Sequence, residues 1–276
     1  MTQPYAEVIG DPISQSKSPV IHGNWLARLG IPGEYRACHV SASELAAYIA
    51  RRRADPDWRG CNVTIPHKEK VGALLDRLEP RAQAVGAVNT VFRDADGQLV
   101  GTNTDVDGVA EALRGFDLAG RKVVVLGAGG AARAAFFHLA GAGCSVSVLA
   151  RNHEKARAAI EQCGLDARLL PFSGGTSAFD DAVLAINTTQ LGMTGQDPMP
   201  RFVLEEIDQM QRDALLFDMV YAPRETGFLK AAAQTGRATV GGLTMLVGQA
   251  RTAFARFFGK VPPASGDAEL MRKLTA

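Results

Sequence analysis

The chain has 276 residues, 46% of them hydrophobic, and a formal net charge of +1. That length makes one large domain or two ordinary ones, with enough apolar material for a sizeable core. So even a balance of charge excludes a broad basic or acidic field for nucleic acid or a membrane surface, and any anionic small molecule has to be held by local charges.

Tyr5–Gly10 reads as a strand ended by Asp11-Pro12, followed by a polar loop over residues 14–19. An apolar helical pattern over residues 21–29 stops at Gly30 and Pro32, and residues 35–40 form a strand. Ser43 is placed as the N-cap of a helix that carries Leu45, Ala46, Tyr48 and Ile49. Residues 61–65 are a third strand, and Pro66-His67-Lys68 is expected to open another helix. Residues 88–92 and 98–101 flank Asp96-Gly97, a hairpin signal, so one strand should run antiparallel at or near the edge of this sheet.

From Arg121 the pattern changes. Lys122–Leu126 is a continuous apolar run, as expected of a strand buried on both faces. It leads into a glycine loop, an alanine-rich helix over residues 131–140 and a second buried strand over 145–149; residues 183–186 and 215–219 are two more strands. This is a Rossmann-type succession with right-handed crossovers. Helices over residues 243–258 and 268–274 follow the last strand and are expected to return to the first domain. The fold class is α/β in two domains. A mixed-sheet substrate domain covers residues 1–105, completed by 242–276, and a doubly wound parallel-sheet Rossmann domain covers 106–241.

The loop Gly127-Ala128-Gly129-Gly130-Ala131-Ala132 follows a strand and opens a helix, the context of a dinucleotide fingerprint. Gly127 allows the tight turn, Gly129 lets a pyrophosphate approach the backbone, and Ala132 is small enough for close helix–strand packing. Helix N-terminal N–H groups and the dipole then hold phosphate. An NAD site usually places Asp or Glu after the second strand. Here the strand ends in Ala150-Arg151-Asn152, with Lys155 one turn on, and a guanidinium matches a 2′-phosphate. NADP is therefore expected over NAD.

Three polar clusters stand at strand ends or in loops: Ser14 to Pro19; Asn62-Val63-Thr64-Ile65-Pro66-His67-Lys68; and Ala87-Val88-Asn89-Thr90 with Gly101-Thr102-Asn103-Thr104-Asp105. Together they supply hydroxyls, amides, an ammonium and a carboxylate, an inventory suited to a polyhydroxylated small acid. Lys68 and Asp105 are the strong acid–base candidates; His67 reads as packing or capping. A free lysine titrates near about 10.4; desolvation lowers that value and a nearby aspartate raises it, so which partner moves a proton stays open. Lys68 is preferred, with Asp105 orienting it.

The four cysteines, at 38, 61, 144 and 163, form no C-x-x-C pair and lack a histidine at ligand spacing. Free thiols in a reducing compartment and no metal site are expected. The N-terminus does not read as a signal peptide, no run is apolar enough to span a membrane, and a cytoplasmic location is expected. The sequence is compatible with a homodimer and does not select an oligomeric state.

The run from Gly10-Asp11-Pro12-Ile13 through Ser16-Lys17-Ser18-Pro19 to His22 resembles the N-terminal signature of the shikimate dehydrogenase family. Asn62 to Lys68 and Asn103-Thr104-Asp105 resemble its lysine and aspartate motifs. Asn187-Thr188-Thr189 with Gly192-Met193, Asp218-Met219-Val220-Tyr221 with Pro223, and Gly242-Leu243 with Met245-Leu246 and Gln249 follow in the family's order. The resemblance implies reversible reduction of 3-dehydroshikimate to shikimate with NADPH, in aromatic amino-acid biosynthesis. A quinate/shikimate dehydrogenase of broader range and a catalytically inactive nucleotide-binding relative are the alternatives. It further implies that Ser16 and Ser18 hold the substrate carboxylate with Tyr221 nearby, and that Thr64, Asn89 and Gln249 bind ring hydroxyls. Lys68 and Asp105 would form the catalytic pair. Gly127, Ala128, Gly129, Gly130, Ala131, Ala150, Arg151, Asn152, Lys155, Met219 and Gly242 would contact the cofactor. The chain departs from the family pattern at Val106-Asp107-Gly108, at Ala150-Arg151-Asn152, and at Gly241, where Asp or Asn is more usual.

Overall fold

The computed structural model describes residues 3–275. The chain divides into two compact units: one runs to Asp107 and is completed by the segment from Leu246, and the other is Gly108–Met245. Among the described residues no helix is long and apolar enough to cross a membrane.

The first unit contains β1 (Tyr5–Gly10), α1 (Ser18–Leu29), β2 (Glu34–His39), α2 (Leu45–Arg53), β3 (Trp58–Val63), β4 (Arg77–Leu78), α3 (Pro80–Val85), β5 (Thr90–Arg93) and β6 (Leu99–Thr102). Their sheet has the order β2-β1-β3-β5-β6-β4. Only β5 is reversed: it pairs antiparallel with both β3 and β6, while β4 runs parallel to β6. The antiparallel strand, expected at or near the edge, lies inside the sheet with β6 and β4 beyond it. The two-residue β4 is too short to leave a sequence pattern, yet with β6 it covers that side of β5. The hairpin is made by Asp94, whose Oδ1 accepts from the N–H groups of Asp96 (3.1 Å) and Gln98 (2.9 Å), while Gly97 takes φ +80°.

Two local readings are revised. Ser43 does not cap α2; the residue before the helix is Glu44, which makes no side-chain cap, and its Oε2 accepts from the Ser41 N–H at 2.9 Å. Ser41 Oγ donates to the same oxygen at 2.6 Å, so serine and glutamate close the turn that leads into α2. Residues 66–68 do not open an α-helix: turns run into a 3-10 segment, Val71–Leu74. The Lys68 carbonyl, which a helix would use internally, instead accepts from Val88 N–H at 2.8 Å.

Glu7 of β1 is 1% exposed, and its charge is met by Arg52 (2.7 and 2.9 Å), Arg36 (3.2 Å) and the Tyr48 hydroxyl (2.7 Å). That ties α2 to the sheet through a fully satisfied buried carboxylate. The apolar layer beside it includes Ile9, Tyr48, Trp58 and Val91.

The second unit begins within α4 (Asp105–Ala112). It holds β7 (Lys122–Leu126), α5 (Gly130–Ala140), β8 (Ser145–Ala150), α6 (His153–Gln162), β9 (Ala167–Pro171), β10 (Leu184–Asn187), α7 (Arg201–Glu206), β11 (Leu215–Asp218), α8 (Gly227–Gln234) and β12 (Ala238–Gly241). The sheet order is β12-β11-β10-β7-β8-β9 and every pairing is parallel. This is the doubly wound order, with its switch point between β7 and β10. The edge strands β9 and β12 escape a sequence reading because they are largely exposed and lack the apolar run of the central four.

α9 (Gly242–Phe258) starts in the second unit, and α10 (Asp267–Thr275) closes the first. As expected, these C-terminal helices return to the first unit. Phe254 packs edge-on to Trp25 of α1 at 5.6 Å, and Lys273 donates to Asn24 at 3.0 Å. Phe257 lies on β3 at Gly60, which has φ +155°. A Cβ there would meet the Val91 carbonyl and the Phe257 ring, the latter at 2.6 Å. Gly60→Ala should therefore destabilise the protein by about 1–3 kcal/mol. Chemical denaturation should show the transition at lower denaturant, and an unchanged midpoint would remove this constraint.

Candidate active site

In the first unit the C-terminal ends of β1, β3 and β6 share one edge of the sheet. The reversed β5 begins at that edge, since Thr90 is in register with Asn62 of β3 and Thr102 of β6. Asn89, just before β5, therefore stands beside residues that follow β3 and β6. Open α/β sheets bind ligands at this edge.

Lys68 Nζ lies 2.6 Å from Asp105 Oδ2, with side chains 20% and 10% exposed. Asp105 is the first residue of α4, where a carboxylate is favoured by the helix dipole. Its other oxygen, Oδ1, accepts from Asn89 Nδ2 at 2.9 Å. Asn89 Nδ2 also donates to Thr104 Oγ1 (3.0 Å) and lies 3.5 Å from Gln249 Oε1. Asn89 Oδ1 accepts from the Thr104 N–H at 2.6 Å. Thr104 Oγ1 donates to Gln249 Oε1 at 3.2 Å, and Gln249 Nε2 to the Leu246 carbonyl at 3.1 Å. Lys68, Asp105, Asn89 and Gln249, far apart in sequence, are thus one hydrogen-bonded group.

Ser18, buried at the start of α1, donates its N–H to Ser16 Oγ at 3.3 Å. Thr64 follows β3 with its methyl against Gly10, where a Cβ would sit 2.5 Å from it. His67 is fully buried and its Nε2 lies 2.7 Å from the Val40 carbonyl, so Nε2 carries the proton; this is a packing role, not an acid–base one. His22 is also fully buried, with neither ring nitrogen hydrogen-bonded. Burial pushes its imidazole down to about 3, so the ring stays neutral. Among the described residues no group of three His, Cys, Asp or Glu side chains could hold a metal ion.

In the second unit Gly127 has φ +96°, and a Cβ there would lie 2.7 Å from Thr189 Cγ2. The turn therefore needs glycine for both conformation and space. A Cβ at Gly129 or Gly130 would meet nothing within 4 Å, so the backbone there faces open space. α5 starts at this point with no side-chain cap. Its first N–H groups lack intrahelical partners, which suits a phosphate group. Ala150 ends β8; Arg151 and Lys155 are exposed. Asn152 caps α6, its Oδ1 accepting from Lys155 N–H at 2.9 Å. Those residues fit a dinucleotide with a 2′-phosphate: open glycine backbone, uncapped helix terminus and two cations. Gly242 is pressed on the Met219 backbone, where a Cβ would lie 2.7 Å from its carbonyl carbon. The departure at Gly241 has no such constraint, because a Cβ there makes only ordinary contacts. Tyr221 also belongs to this unit, and burial pushes its hydroxyl up.

Asp218 stands in a motif to which sequence alone attaches no role, and the structure supplies one. It is completely buried and accepts from Asn187 Nδ2 (2.9 Å), Val220 N–H (3.0 Å) and Thr226 Oγ1 (2.6 Å), the last being the N-cap of α8. One carboxylate thus fixes the loops that follow β10 and β11. Desolvation raises its titration to about 6, against the opposing effect of its three donors.

A lysine–carboxylate pair held by buried amides and hydroxyls, and a separate Rossmann glycine turn with exposed cations after the second strand, are the parts of an NADP-dependent dehydrogenase. Two family models match the chain: the shikimate dehydrogenase substrate-binding domain over residues 8–91, and shikimate/quinate 5-dehydrogenase over residues 109–221. The chain is 49% identical to a shikimate dehydrogenase (NADP(+)) of Sphingopyxis alaskensis, over 99% of this chain and 97% of that one. It therefore belongs to the shikimate dehydrogenase family. The shikimate 5-dehydrogenase of Thermus thermophilus, solved in complex with NADP(H) and shikimate, is 35% identical with a TM-score of 0.85, covering 99% of this chain and all of that one. The 5-ketofructose reductase of a Gluconobacter strain, solved ligand-free, is 27% identical with a TM-score of 0.87, covering 99% of each chain.

The raised titration of Asp218 has a defined sign. Between about pH 4 and pH 6 the folded protein keeps a proton that the unfolded chain has released. Stability should fall as pH rises through that window, by roughly 3 kcal/mol at most. Urea titrations at pH 4 and pH 6.5 should show Asp218→Asn lacking this loss; an identical pH response in both proteins would contradict it.

Proposed function

We propose that the chain catalyses the reversible NADPH-dependent reduction of 3-dehydroshikimate to shikimate, in the cytoplasm, as part of aromatic amino-acid biosynthesis. The observation that carries this reading is the Lys68–Asp105 contact of 2.6 Å in a wall of otherwise hydrogen-bonded amides and hydroxyls. The first unit is the substrate domain. Ser16 and Ser18 hold the carboxylate, and Thr64, Asn89 and Gln249 hold ring hydroxyls. The second unit is the cofactor domain, with Gly127 to Ala131, Ala150, Arg151, Asn152, Lys155, Met219 and Gly242 along the dinucleotide.

When bound, the dinucleotide supplies the hydride chemistry. The protein's task is the proton. In reduction Lys68 Nζ donates to the developing alkoxide, while Asp105 Oδ2 holds the ammonium in line. In oxidation Lys68 receives that proton back. Asn89 fixes Asp105 from the far side, so the pair keeps one geometry through both directions. Only small-molecule partners are needed, and a homodimer is compatible with the reading.

General acid–base groups contribute about 10²–10⁴-fold. Lys68→Ala should lower kcat for shikimate by that much, with a far smaller change in KM. Loss of binding at normal turnover would reassign the residue. Arg151→Ala should raise KM for NADPH about tenfold and leave NADH little changed, since a charge-assisted bond to the 2′-phosphate is lost. An equal effect on both cofactors would refute the selectivity assignment. Assays of shikimate and quinate with each cofactor complete the test of substrate range.

A further inference from the structure

Behind Asn89 runs a line of buried polar side chains that touches no reacting atom. Tyr35 OH donates to Asn62 Oδ1 at 2.6 Å. Asn62 Nδ2 donates to Thr90 Oγ1 at 3.0 Å and to the Asn89 carbonyl at 3.4 Å. Thr90 Oγ1 donates to Asn89 Oδ1 at 3.0 Å. Asn89 Nδ2 then donates to Asp105 Oδ1, whose partner oxygen holds Lys68. Tyr35, Asn62, Thr90 and Asn89 are all at most 7% exposed.

The direction of the bonds in this line is fixed at its two amides, Asn62 and Asn89. The Asn62 NH2 faces the Asn89 carbonyl, which only accepts, so the Asn62 oxygen points at Tyr35 and takes its proton. The Thr90 oxygen then accepts, and its single proton goes on to Asn89 Oδ1. The Thr104 N–H donates to the same oxygen, and the Asn89 NH2 faces the Asp105 carboxylate. Reversing Asn62 would set its oxygen 3.4 Å from the Asn89 carbonyl oxygen, two acceptors with no proton between them. The Tyr35 ring is itself held, stacked on His22 at 3.9 Å between centroids and 5° between planes. Burial keeps the Tyr35 hydroxyl protonated well above its ordinary range, so it retains the proton it gives to Asn62.

We propose that Tyr35 is a positioning residue for the reaction. Through the hydrogen-bond line Tyr35–Asn62–Thr90–Asn89 it supplies the second donor to the Asn89 oxygen, and so steadies the amide that holds the Lys68–Asp105 pair. It rests on the reading of Lys68 and Asp105 as the proton-transfer pair. The closed ring of bonds at Thr104 gives Asn89 a second anchor, so removing Tyr35 loosens the amide without freeing it.

The test uses the full-length protein. Wild-type oxidation of shikimate with NADP is measured first; no turnover there sinks the functional reading by itself. Tyr35→Phe and Thr90→Val each remove one donor with little change in shape. Each should lower kcat about tenfold with cofactor KM unchanged, and Thr90→Ser should recover most of the loss in Thr90→Val. In an Asn89→Ala background the further effect of Tyr35→Phe should vanish, whereas a general loss of stability would add to it. The side-chain amide resonance of Asn89, read without substrate, should move in Tyr35→Phe. An unmoved resonance, a kcat within twofold of wild type, or an additive effect in the Asn89→Ala background would each overturn the proposal.

Discussion

The Asn89 amide is the constraint around which the first unit is arranged. It is 2% exposed, so both of its polar atoms must find partners inside the protein. Its oxygen is taken by Thr104 N–H and Thr90, its nitrogen by Asp105 and Thr104. Those partners come from the start of β5, the end of β6 and the start of α4. They can meet only because β5 is reversed. Were β5 parallel to its neighbours, Asn89 would lie at the opposite edge, a strand length away from Asp105. The reversed interior strand is therefore a condition for the site, not an irregularity of the sheet.

The second unit solves a similar problem differently. Its central strands are largely apolar, and Asp218, a buried carboxylate at the end of β11, makes no ion pair among the described residues. Three hydrogen bonds hold it instead, and each comes from a different piece of chain: Asn187 at the end of β10, Val220 after β11, Thr226 before α8. The loops that border the glycine turn are thereby tied at one point. Gly242, pressed onto the Met219 backbone, fixes where α9 leaves this group. The cations at Arg151 and Lys155 stand outside it, on exposed side chains at the start of α6.

Much of this is legible from residues alone, and the reasons differ by element. The buried strands β7, β8, β10 and β11 announce themselves by apolar runs, and the glycine turn by its context. β9, β12 and β4 are short or exposed and carry no such run. The hairpin at Asp96-Gly97 shows that one strand must reverse, but local sequence does not say how many strands lie beyond it. The turn at residues 65–70 resembles a helix start because the event that prevents a helix, Val88 taking the Lys68 carbonyl, occurs twenty residues away. The site divides the same way. Lys68, Asp105 and Asn89 stand in recognisable clusters. Tyr35 lies alone in an ordinary strand, and only the packing of β2, β1 and β3 brings its hydroxyl to Asn62.

The order of segments along the chain has a consequence for synthesis. The second unit is one uninterrupted stretch, Gly108–Met245, whereas the first needs residues from both ends. Gln249, which accepts from Thr104, and Phe257, which covers Gly60, leave the ribosome only after the whole of the second unit. The chain's middle can thus fold as a unit while its beginning still waits for a helix and its aromatic side chains to be made. Until they arrive, the sheet that carries Asn89 has an uncovered apolar face, and it is this early-made half that would lean on chaperones or risk association.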